Sequence, residues 1–429
     1  MLFKNIAILD ENYEIKENRY VGTEKDKIAY IGTETPETDF GEVYDGKNKL
    51  LMPAFFNAHA HSPMMLMRGY GENLTLQDWL NTRIFPFEDK LTSEAVYYAT
   101  LLAMAESLRF GIVSSSDMYY FCDDMVRAVE ESGAKANISR SITSFAEGSV
   151  KNNDSYREAE ALIRDYHGAA EGRILIDASI HAEYTNTVTS MTEVADLARK
   201  YGVNMHVHVS ETKQEHEECK ARHGGRTPAQ LLCDLGAFDT RTTAAHCVWA
   251  EEEDIEIFSE KGVTVATCPV SNLKLASGVC NVPALMKKGV NVAVGTDSVA
   301  SNNSLNFIEE MKFFALLNKE RRNDPTLITP KETLRAAARA GALSQGREDC
   351  GVLAVGRKAD LTVLDISQPH MRRVHNLANN IVYSASGSDV VLTMADGRVL
   401  YRDGDFLTID VEKATAETER ACRDILRQL

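Results

Sequence analysis

Residues 53–61 read Pro-Ala-Phe-Phe-Asn-Ala-His-Ala-His, so an apolar run ends in two histidines separated by one residue. Side chains at positions i and i+2 of a β-strand point to the same side. His59 and His61 can therefore direct two imidazole rings at one point. Neutral imidazole is a common protein ligand of zinc and related divalent metals. The stretch predicts a strand that ends at a metal site, although the same spacing also occurs in ordinary loops.

Eight short apolar segments alternate with helical patterns between about residues 50 and 300. Near-continuous apolar strands alternating with helices indicate a parallel sheet covered on its faces. Eight such units predict an α/β fold, the (β/α)8 or TIM barrel. The predicted strands are Leu50–Phe56, Ile112–Met118, Lys135–Ile142, Ile174–Ile180, Val203–Val209, Thr242–Val248, Val263–Cys268 and Val290–Val294. The predicted helices are Ser93–Phe110, Asp123–Ser132, Tyr156–Ala170, Met191–Tyr201, Pro228–Leu235, Glu251–Lys261 and Val282–Lys288.

The two flanks of this region contain short alternating segments instead. Lys27–Ile31 is one of them, and Asp396-Gly397 is a strong hairpin signal. Neither flank is long enough to form a good sheet alone. We therefore expect residues 1–50 and 352–429 to pair into one small β-sandwich domain beside a barrel of residues 51–351, with a final helix over Val411–Leu429.

The composition is that of an ordinary globular protein, with 44% hydrophobic and 26% charged residues. The formal net charge of −16 opposes a nucleic-acid partner, which requires clusters of Lys and Arg. The eight cysteines include no Cys-x-x-Cys pair, which favours a reducing compartment without disulfides. The N-terminus has no apolar core of a signal peptide, and no segment is apolar enough to span a membrane. We expect a cytoplasmic protein.

The carboxyl ends of the predicted strands carry the candidate chemistry, because barrel enzymes keep their active sites there. Strand five ends in His206-Val-His208-Val-Ser-Glu211, strand six in His246, and strand eight in Asp297. Four strands that end in metal-binding or acid–base residues predict a metal site. His206 and His208 share a face, so we assign the metal to His208, which is nearer the strand end. We expect His206 to be a buried histidine hydrogen-bonded below the site.

Other roles are open to three of these residues. Glu211 lies three residues beyond a predicted ligand and can serve as a general acid, but it can also cap a helix or lie at the surface. His246 can be a hydrogen-bonded core histidine, and Asp297 can be a helix N-cap.

These segments resemble the amidohydrolase superfamily, in the branch that contains cytosine deaminases, guanine deaminases and triazine hydrolases. The matching motifs are His59-Ala-His61, His208-x-x-Glu211, Ala245-His246-Cys247-Val248 and Gly295-Thr296-Asp297. A closer resemblance, to S-adenosylhomocysteine/5′-methylthioadenosine deaminases, covers nearly the whole chain. It rests on His61-Ser62-Pro63-Met64, Gly71-Glu72-Asn73-Leu74, Trp79-Leu80, Pro86-Phe87-Glu88-Asp89, Pro269-Val270-Ser271-Asn272-Leu273-Lys274-Leu275, Ser301-Asn302-Asn303-Ser304 and Gly351-x-Leu353-x-x-Gly356-Arg357-Lys358-Ala359-Asp360-Leu361.

The resemblance implies one divalent metal, most often zinc and sometimes iron or manganese, held by His59, His61, His208 and Asp297. The end of strand four, Ser179-Ile180-His181-Ala182, lacks the carboxylated lysine of two-metal relatives. The implied reaction is hydrolytic deamination at C6 of adenine by a metal-activated water. Glu211 would protonate ring nitrogen N1, His246 would polarise the attacking oxygen, and Asp297 would carry a proton to the departing ammonia.

The resemblance also implies roles on the substrate side. Glu88 would bind ribose hydroxyls, His181 a purine ring nitrogen, and Arg140 the carboxylate or tail of a 5′-substituent. Glu88 could instead be an exposed acid and Arg140 a surface cation. Trp79 could stack in the pocket or belong to the core.

Two positions depart from the family pattern. Trp249 stands where close relatives carry a histidine, and a second tail-binding arginine is missing, with Arg157 as a stand-in. Both departures weaken the case for binding a homocysteine carboxylate. The 5′-substituent therefore stays open among S-adenosylhomocysteine, 5′-methylthioadenosine, 5′-deoxyadenosine and adenosine.

Two alternatives compete with this nucleoside deaminase. One is a guanine, 8-oxoguanine or triazine-type aminohydrolase on the same metal. The other is a catalytically silent barrel scaffold, which predicts broken ligands, whereas every expected ligand is present. Zinc deaminases that flip bases out of nucleic acid use a Cys-x-x-Cys motif that this chain lacks. A homo-oligomer, dimer or tetramer, is common in the family and is expected here.

Overall fold

The computed structural model describes residues 1–429 and contains eighteen strands in three hydrogen-bonded sheets. The strands are β1 Leu2–Leu9, β2 Ile15–Glu24, β3 Lys27–Gly32, β4 Val43–Asp45, β5 Lys49–Pro53, β6 Phe55–Ala60, β7 Ile112–Tyr119, β8 Lys135–Arg140, β9 Ile174–Ile176, β10 Ala178–Ile180, β11 Met205–Val209, β12 Thr242–His246, β13 Thr264–Thr267, β14 Asn291–Val294, β15 Leu361–Asp365, β16 Val390–Ala395, β17 Arg398–Arg402 and β18 Asp405–Phe406.

Strands β6 to β14 form the predicted (β/α)8 barrel, which is confirmed. Strands β6–β9 make one parallel sheet and β10–β14 another, and β9 and β10 are two halves of the fourth barrel strand. Isolated parallel bridges from Ile142 to Ile180 and from Ala60 to Asp297 join the two sheets at both seams. The closed barrel therefore gathers the carboxyl ends of all its strands around one mouth.

Sixteen α-helices accompany these strands, and each predicted helix is present with its ends shifted by a few residues. None of the helices combines the length and the apolar character that crossing a lipid bilayer requires. The helices are α1 Leu76–Trp79, α2 Phe85–Glu88, α3 Ser93–Arg109, α4 Cys122–Ser132, α5 Asp154–Tyr166, α6 Val188–Tyr201, α7 Lys213–Arg222, α8 Pro228–Asp234, α9 Glu252–Lys261, α10 Pro269–Lys274, α11 Val282–Lys287, α12 Phe307–Arg322, α13 Pro330–Arg335, α14 Gly341–Ser344, α15 Leu377–Tyr383 and α16 Val411–Leu426. Short 3-10 turns span Ser62–Met67, Ala170–Gly172, Glu183–Thr185, Pro369–Met371 and Gly387–Asp389, and π-helical turns span Leu80–Ile84 and Ala336–Ala340.

Helix α7 was not predicted, because its sequence Lys-Gln-Glu-His-Glu-Glu-Cys-Lys-Ala-Arg has no apolar face. Its start is fixed by a capping box instead. The Thr212 hydroxyl accepts a hydrogen bond from the backbone N–H of Glu215, and the Glu215 carboxylate accepts from the N–H of Thr212. Hydrophobic periodicity does not detect a helix of this kind.

The first predicted strand, Leu50–Phe56, is wrong as a single element. Its first half lies in β5, which pairs antiparallel with β15, and its second half begins β6 of the barrel. The intervening Ala54 is fully buried, so one apolar run crosses from one sheet to the other without a polar break. The apolar composition of the run does not show where the chain passes from one sheet to the other, because both sheets bury its residues equally well.

Both termini contribute to the third sheet, as expected. Its order is β18-β17-β16-β15-β5-β1-β2-β3, with β4 on β1, and the predicted hairpin at Asp396-Gly397 joins β16 to β17. The nine strands form one continuous sheet with its own cluster of twelve buried residues. The sandwich form and the domain boundaries at residues 50/51 and 351/352 stay predictions.

A buried lysine connects the barrel to this terminal sheet. Nζ of Lys135, at the start of β8, lies 2.6 Å from Oδ2 of Asp360 and 2.8 Å from Oδ1 of Asp396. Asp360 precedes β15, and Asp396 lies in the β16–β17 hairpin. The Lys135 side chain is 2% exposed, so this ion pair is shielded from water and holds the two sheets together.

Candidate active site

The barrel mouth brings together the four predicted metal ligands. His59 and His61 lie at the end of β6, His208 lies in β11, and Asp297 follows β14. Nε2 of His61 lies 3.4 Å from Nε2 of His208 and 3.4 Å from Oδ1 of Asp297. Nε2 of His59 lies 3.8 Å from the same carboxylate oxygen. Three imidazoles and one carboxylate around a common point form a donor set suited to zinc.

The proton positions of two of these imidazoles fit metal binding. Nδ1 of His61 lies 2.6 Å from the carbonyl oxygen of Met118, and Nδ1 of His208 lies 2.6 Å from that of His181. A carbonyl can only accept, so each Nδ1 carries the proton and each Nε2 presents a lone pair. Nε2 of His59 is buried and has no hydrogen-bond partner at all. A buried nitrogen without a partner that faces the other donors can take a metal as its partner, so the residues fit a divalent metal.

Burial also keeps these histidines neutral. It lowers the pKa of His59 and of His208 well below the ordinary value, and the neighbouring imidazoles lower both further. Neutral imidazole is the form that binds a metal.

Asp297 is oriented by three hydrogen bonds. Its Oδ2 accepts from the hydroxyls of Ser271, at 2.6 Å, and Ser301, at 3.0 Å. Its Oδ1 accepts from the backbone N–H of Ser298 at 2.7 Å and also faces the histidines. The backbone of Asp297 has φ of 60°, a left-handed conformation that turns its side chain at the strand end.

Glu211 and His246 lie beside the metal ligands. Oε2 of Glu211 lies 3.8 Å from Nε2 of His246, and both side chains are buried. Burial raises the pKa of Glu211, which favours the protonated form of this carboxyl. Burial lowers the pKa of His246, but the carboxylates of Glu211 and Asp297 outweigh it and leave that pKa raised. The pair can therefore donate protons to a substrate bound over the ligands.

A pocket of about 640 Å³ opens above this cluster. Glu88, His181 and Trp79 line it, as predicted for the substrate side. Trp79 also belongs to the main hydrophobic core, and its stacking on a ligand stays a prediction. The other apolar wall residues are Met64, Leu76, Leu80, Ile84, Phe85, Met118 and Leu275.

His181 and Glu88, the two predicted substrate ligands that line the pocket beside Trp79, have different environments. Nδ1 of His181 lies 3.0 Å from the Thr185 hydroxyl, and burial lowers the His181 pKa to about 4. Burial raises the pKa of Glu88 to about 8, although the hydroxyls of Tyr119 and Tyr120 lower it in part. The empty pocket thus holds a neutral imidazole and a carboxyl that is mostly protonated at pH 7.

Arg140 does not line this pocket. It lines an adjoining cavity of about 1560 Å³ that shares Phe85, Glu88 and Tyr120 with the pocket. Nε of Arg140 donates to Oε2 of Glu158 at 2.7 Å, and the guanidinium lies over the Tyr120 ring, 4.8 Å from its centroid. Its charge already has a partner. Four further acids line the same cavity, namely Asp89, Asp123, Asp124 and Asp165.

The two departures from the family pattern also lie outside the pocket. Arg157 is exposed and donates to Asp154 at 2.6 Å. Trp249 is 37% exposed, and its Nε1 donates to the carbonyl oxygen of Ser277 at 2.8 Å. Neither residue takes the place of a tail-binding cation in the pocket.

Several site residues were not predicted from the sequence. Tyr119 and Ser141 line the pocket with buried hydroxyls; that of Tyr119 is one of the two that lower the pKa of Glu88, and that of Ser141 has no hydrogen-bond partner. Asn272 holds Nδ1 of His246 at 2.8 Å. Tyr119 ends β7 and Ser141 follows β8, so the same search at strand ends would have found both.

Comparison with known proteins identifies similar chains over the full length. The Amidohydrolase family model matches residues 50–400. A 5-methylthioadenosine/S-adenosylhomocysteine deaminase of Caldanaerobacter subterraneus subsp. tengcongensis is 40% identical over 429 residues, covering 100% of this chain and 99% of the relative. A 5′-deoxyadenosine deaminase of Methanosarcina mazei is 39% identical over 432 residues, with 100% and 99% covered. The crystal structure of an adenosine deaminase from Xanthomonas campestris with bound zinc superimposes with a TM-score of 0.93 at 30% identity, covering 100% of this chain and 98% of that one.

Proposed function

This chain belongs to the amidohydrolase family, and we propose that it hydrolyses a 5′-modified adenosine to the inosine analogue and ammonia. Deaminases named for 5-methylthioadenosine/S-adenosylhomocysteine and for 5′-deoxyadenosine are similar to it over the whole chain, which supports adenosine-analogue deamination. The observation that carries the proposal is the cluster of four metal ligands with Glu211 and His246 at the base of a pocket lined by Glu88, His181 and Trp79.

We propose that His59, His61, His208 and Asp297 hold one divalent metal, zinc in the first place. Zinc favours a tetrahedral set of nitrogen and oxygen ligands, and the similar Xanthomonas enzyme was solved with zinc. A metal at this position supplies a water-derived nucleophile at neutral pH by lowering the pKa of bound water.

The chain's own groups handle the protons of the reaction. Attack at C6 builds negative charge on N1, and the raised pKa of Glu211 suits it to donate a proton there. His246, hydrogen-bonded through Nδ1, directs Nε2 at the attacking oxygen and polarises it. Asp297 accepts the proton of the attacking water and passes it to the departing ammonia.

The nucleoside is bound by its ribose and its purine edge. We assign the ribose hydroxyls to Glu88, which lies where the pocket meets the adjoining cavity. The purine contacts His181, whose Nδ1 is held by Thr185. Trp79 packs against the bound ligand from the apolar wall.

We further infer that the preferred 5′-substituent is uncharged. Arg140, the one cation that lines the adjoining cavity, is already paired with Glu158. The acids that line its cavity attract the ammonium group of a homocysteine tail but repel its carboxylate, which has no free cation to bind. A methylthio group or a plain 5′-deoxy carbon meets neither obstacle, whereas the homocysteine tail must displace Glu158 to reach Arg140.

An ammonia-release assay on the metal-loaded protein tests this function. The substrates are 5′-methylthioadenosine, 5′-deoxyadenosine, adenosine and S-adenosylhomocysteine, with guanine and a triazine as controls. We expect kcat/KM to be highest for the first two. Activity on guanine or the triazine alone would overturn the nucleoside assignment, and a preference for S-adenosylhomocysteine would overturn only the choice of tail.

A further inference from the structure

The third imidazole of the metal cluster, His59, has an unusual hydrogen-bond partner. Its Nδ1 lies 2.9 Å from Nε2 of His206. His206 lies in β11, two residues before His208, is 1% exposed, and does not line the substrate pocket. Its own Nδ1 is buried with no hydrogen-bond partner. His206 therefore contacts the metal cluster only through His59.

The direction of this hydrogen bond follows from the position of His59. Its Nε2 is the atom that faces Asp297 and the other ligands, so a metal must bind through the lone pair of Nε2. The ring proton of His59 then resides on Nδ1 and is donated to His206. Nε2 of His206 must act as an acceptor, and the proton of the His206 ring must sit on the unpartnered Nδ1.

The other two imidazoles are held differently. His61 and His208 donate to backbone carbonyls, which are acceptors in every state. The partner of His59 is an imidazole, which can either donate or accept. The position of the ring proton of His59 therefore depends on the side chain at position 206. This is the one place in the cluster where a side-chain substitution can change the tautomer of a histidine ligand.

We propose that His206 is a positioning residue that holds His59 in its metal-binding tautomer and orientation. It does not touch substrate, and it acts only through its hydrogen bond to His59. The inference rests on the metal site of the proposed function. It accounts for a histidine in the barrel interior with one ring nitrogen unpaired, which is unfavourable in itself.

Zinc affinity measured by chelator competition tests the proposal without recourse to catalysis. In His206→Met a thioether sulfur, which is only a weak acceptor, replaces the imidazole nitrogen while the volume is roughly retained, and zinc affinity should fall by about 10- to 100-fold, as for other partners of metal-bound histidines. In His206→Gln the side-chain oxygen can still accept from Nδ1 of His59, and affinity should stay within about threefold of the wild type. The unfolding temperature of each metal-free variant shows whether it is folded.

Each result has a defined consequence. Wild-type affinity in a folded His206→Met chain, or an equal loss in both variants, would overturn the role of His206 and leave the metal site intact. Failure of the wild type to bind zinc, iron or manganese would overturn the proposed function as well. If His206→Met does not fold, nitrogen-15 NMR of the zinc-loaded wild type decides: a proton on Nε2 of His206 refutes the proposal, and one on Nδ1 supports it.

Discussion

Nδ1 of His246 donates a hydrogen bond to Oδ1 of Asn272 across 2.8 Å. The proton on Nδ1 leaves Nε2 as the nitrogen that faces Glu211, at 3.8 Å. Asn272 lies in α10, directly after the seventh barrel strand, and is itself buried. The hydrogen bond to the Asn272 side chain fixes the orientation of the His246 imidazole and favours its protonated form.

Replacing Asn272 with Leu should therefore lower kcat. The loss of one buried hydrogen bond to a charged partner corresponds to about 1.5–3 kcal/mol, or about 10- to 150-fold. Asn272→Asp is the matched control, because its carboxylate can still accept from Nδ1. Zinc content should be unchanged in both variants. An undiminished kcat in Asn272→Leu would show that His246 is positioned by other contacts.

Substitutions of His208 and Glu211 should have different effects, because His208 binds the metal and Glu211 donates a proton. Glu211→Gln should retain stoichiometric zinc but lose about 10²- to 10⁴-fold in kcat, because an amide cannot donate the proton to N1. His208→Ala removes a ligand and should lose the metal itself, as measured by elemental analysis. Normal turnover in Glu211→Gln would refute the acid role.

Much of the site could be predicted from the ends of the strands. The sequence alone predicts His59, His61, His208, Glu211, His246 and Asp297 as site residues, and the barrel brings them within reach of one another. Side-chain direction at a strand end follows from the period of the strand, so a sequence with clear strands reveals these residues.

Contacts between distant segments could not be predicted in this way. The pairing of Arg140 with Glu158 depends on how α5 packs over β8, and the sequence shows only two opposite charges 18 positions apart. The contact between His206 and His59 crosses the barrel interior, from β11 to β6. Leu50–Phe56 is apolar throughout, so its division between two sheets leaves no mark in its pattern.

The pairing of Arg140 makes a prediction about the 5′-substituent. Glu158→Gln frees the guanidinium, so the ratio of kcat/KM for S-adenosylhomocysteine to that for 5′-methylthioadenosine should rise by about fivefold, since a partly exposed ion pair is worth about 1 kcal/mol. Asp165→Asn removes a negative charge from the same cavity but leaves Arg140 paired, because Asp165 bonds to Arg164. Equal increases in both variants would indicate a general effect of charge.

Lys135 should be essential for stability. Lys135→Met leaves the buried carboxylate of Asp360 without a cation, whereas Asp396 keeps its pair with Lys358, and the free energy of unfolding should fall by about 3–5 kcal/mol. Lys288→Met removes an exposed pair with Glu256 and should cost less than about 1 kcal/mol. Urea titrations of both variants measure the difference.

The ion pair of Lys135 also sets a pH dependence. Burial raises the pKa of Asp360, but Lys135 outweighs burial and leaves the pKa lowered. A carboxyl with a lowered pKa in the folded state stabilises the fold above its unfolded pKa and loses that contribution as the pH falls. Wild-type stability should therefore decline towards acid more steeply than that of Lys135→Met. Parallel pH profiles would contradict this account.

Glu88 should make ribose recognition depend on pH. Its pKa of about 8 means that it is mostly a neutral acid at pH 7, and only the carboxylate can accept from both ribose hydroxyls. The ratio of kcat/KM for adenosine to that for 2′,3′-dideoxyadenosine should therefore rise as the pH increases through about 8. The ratio removes the pH dependence of the metal site and of Glu211, which both substrates share. In Glu88→Gln the ratio should be low and flat, whereas an unchanged slope in that variant would assign the titration to another group.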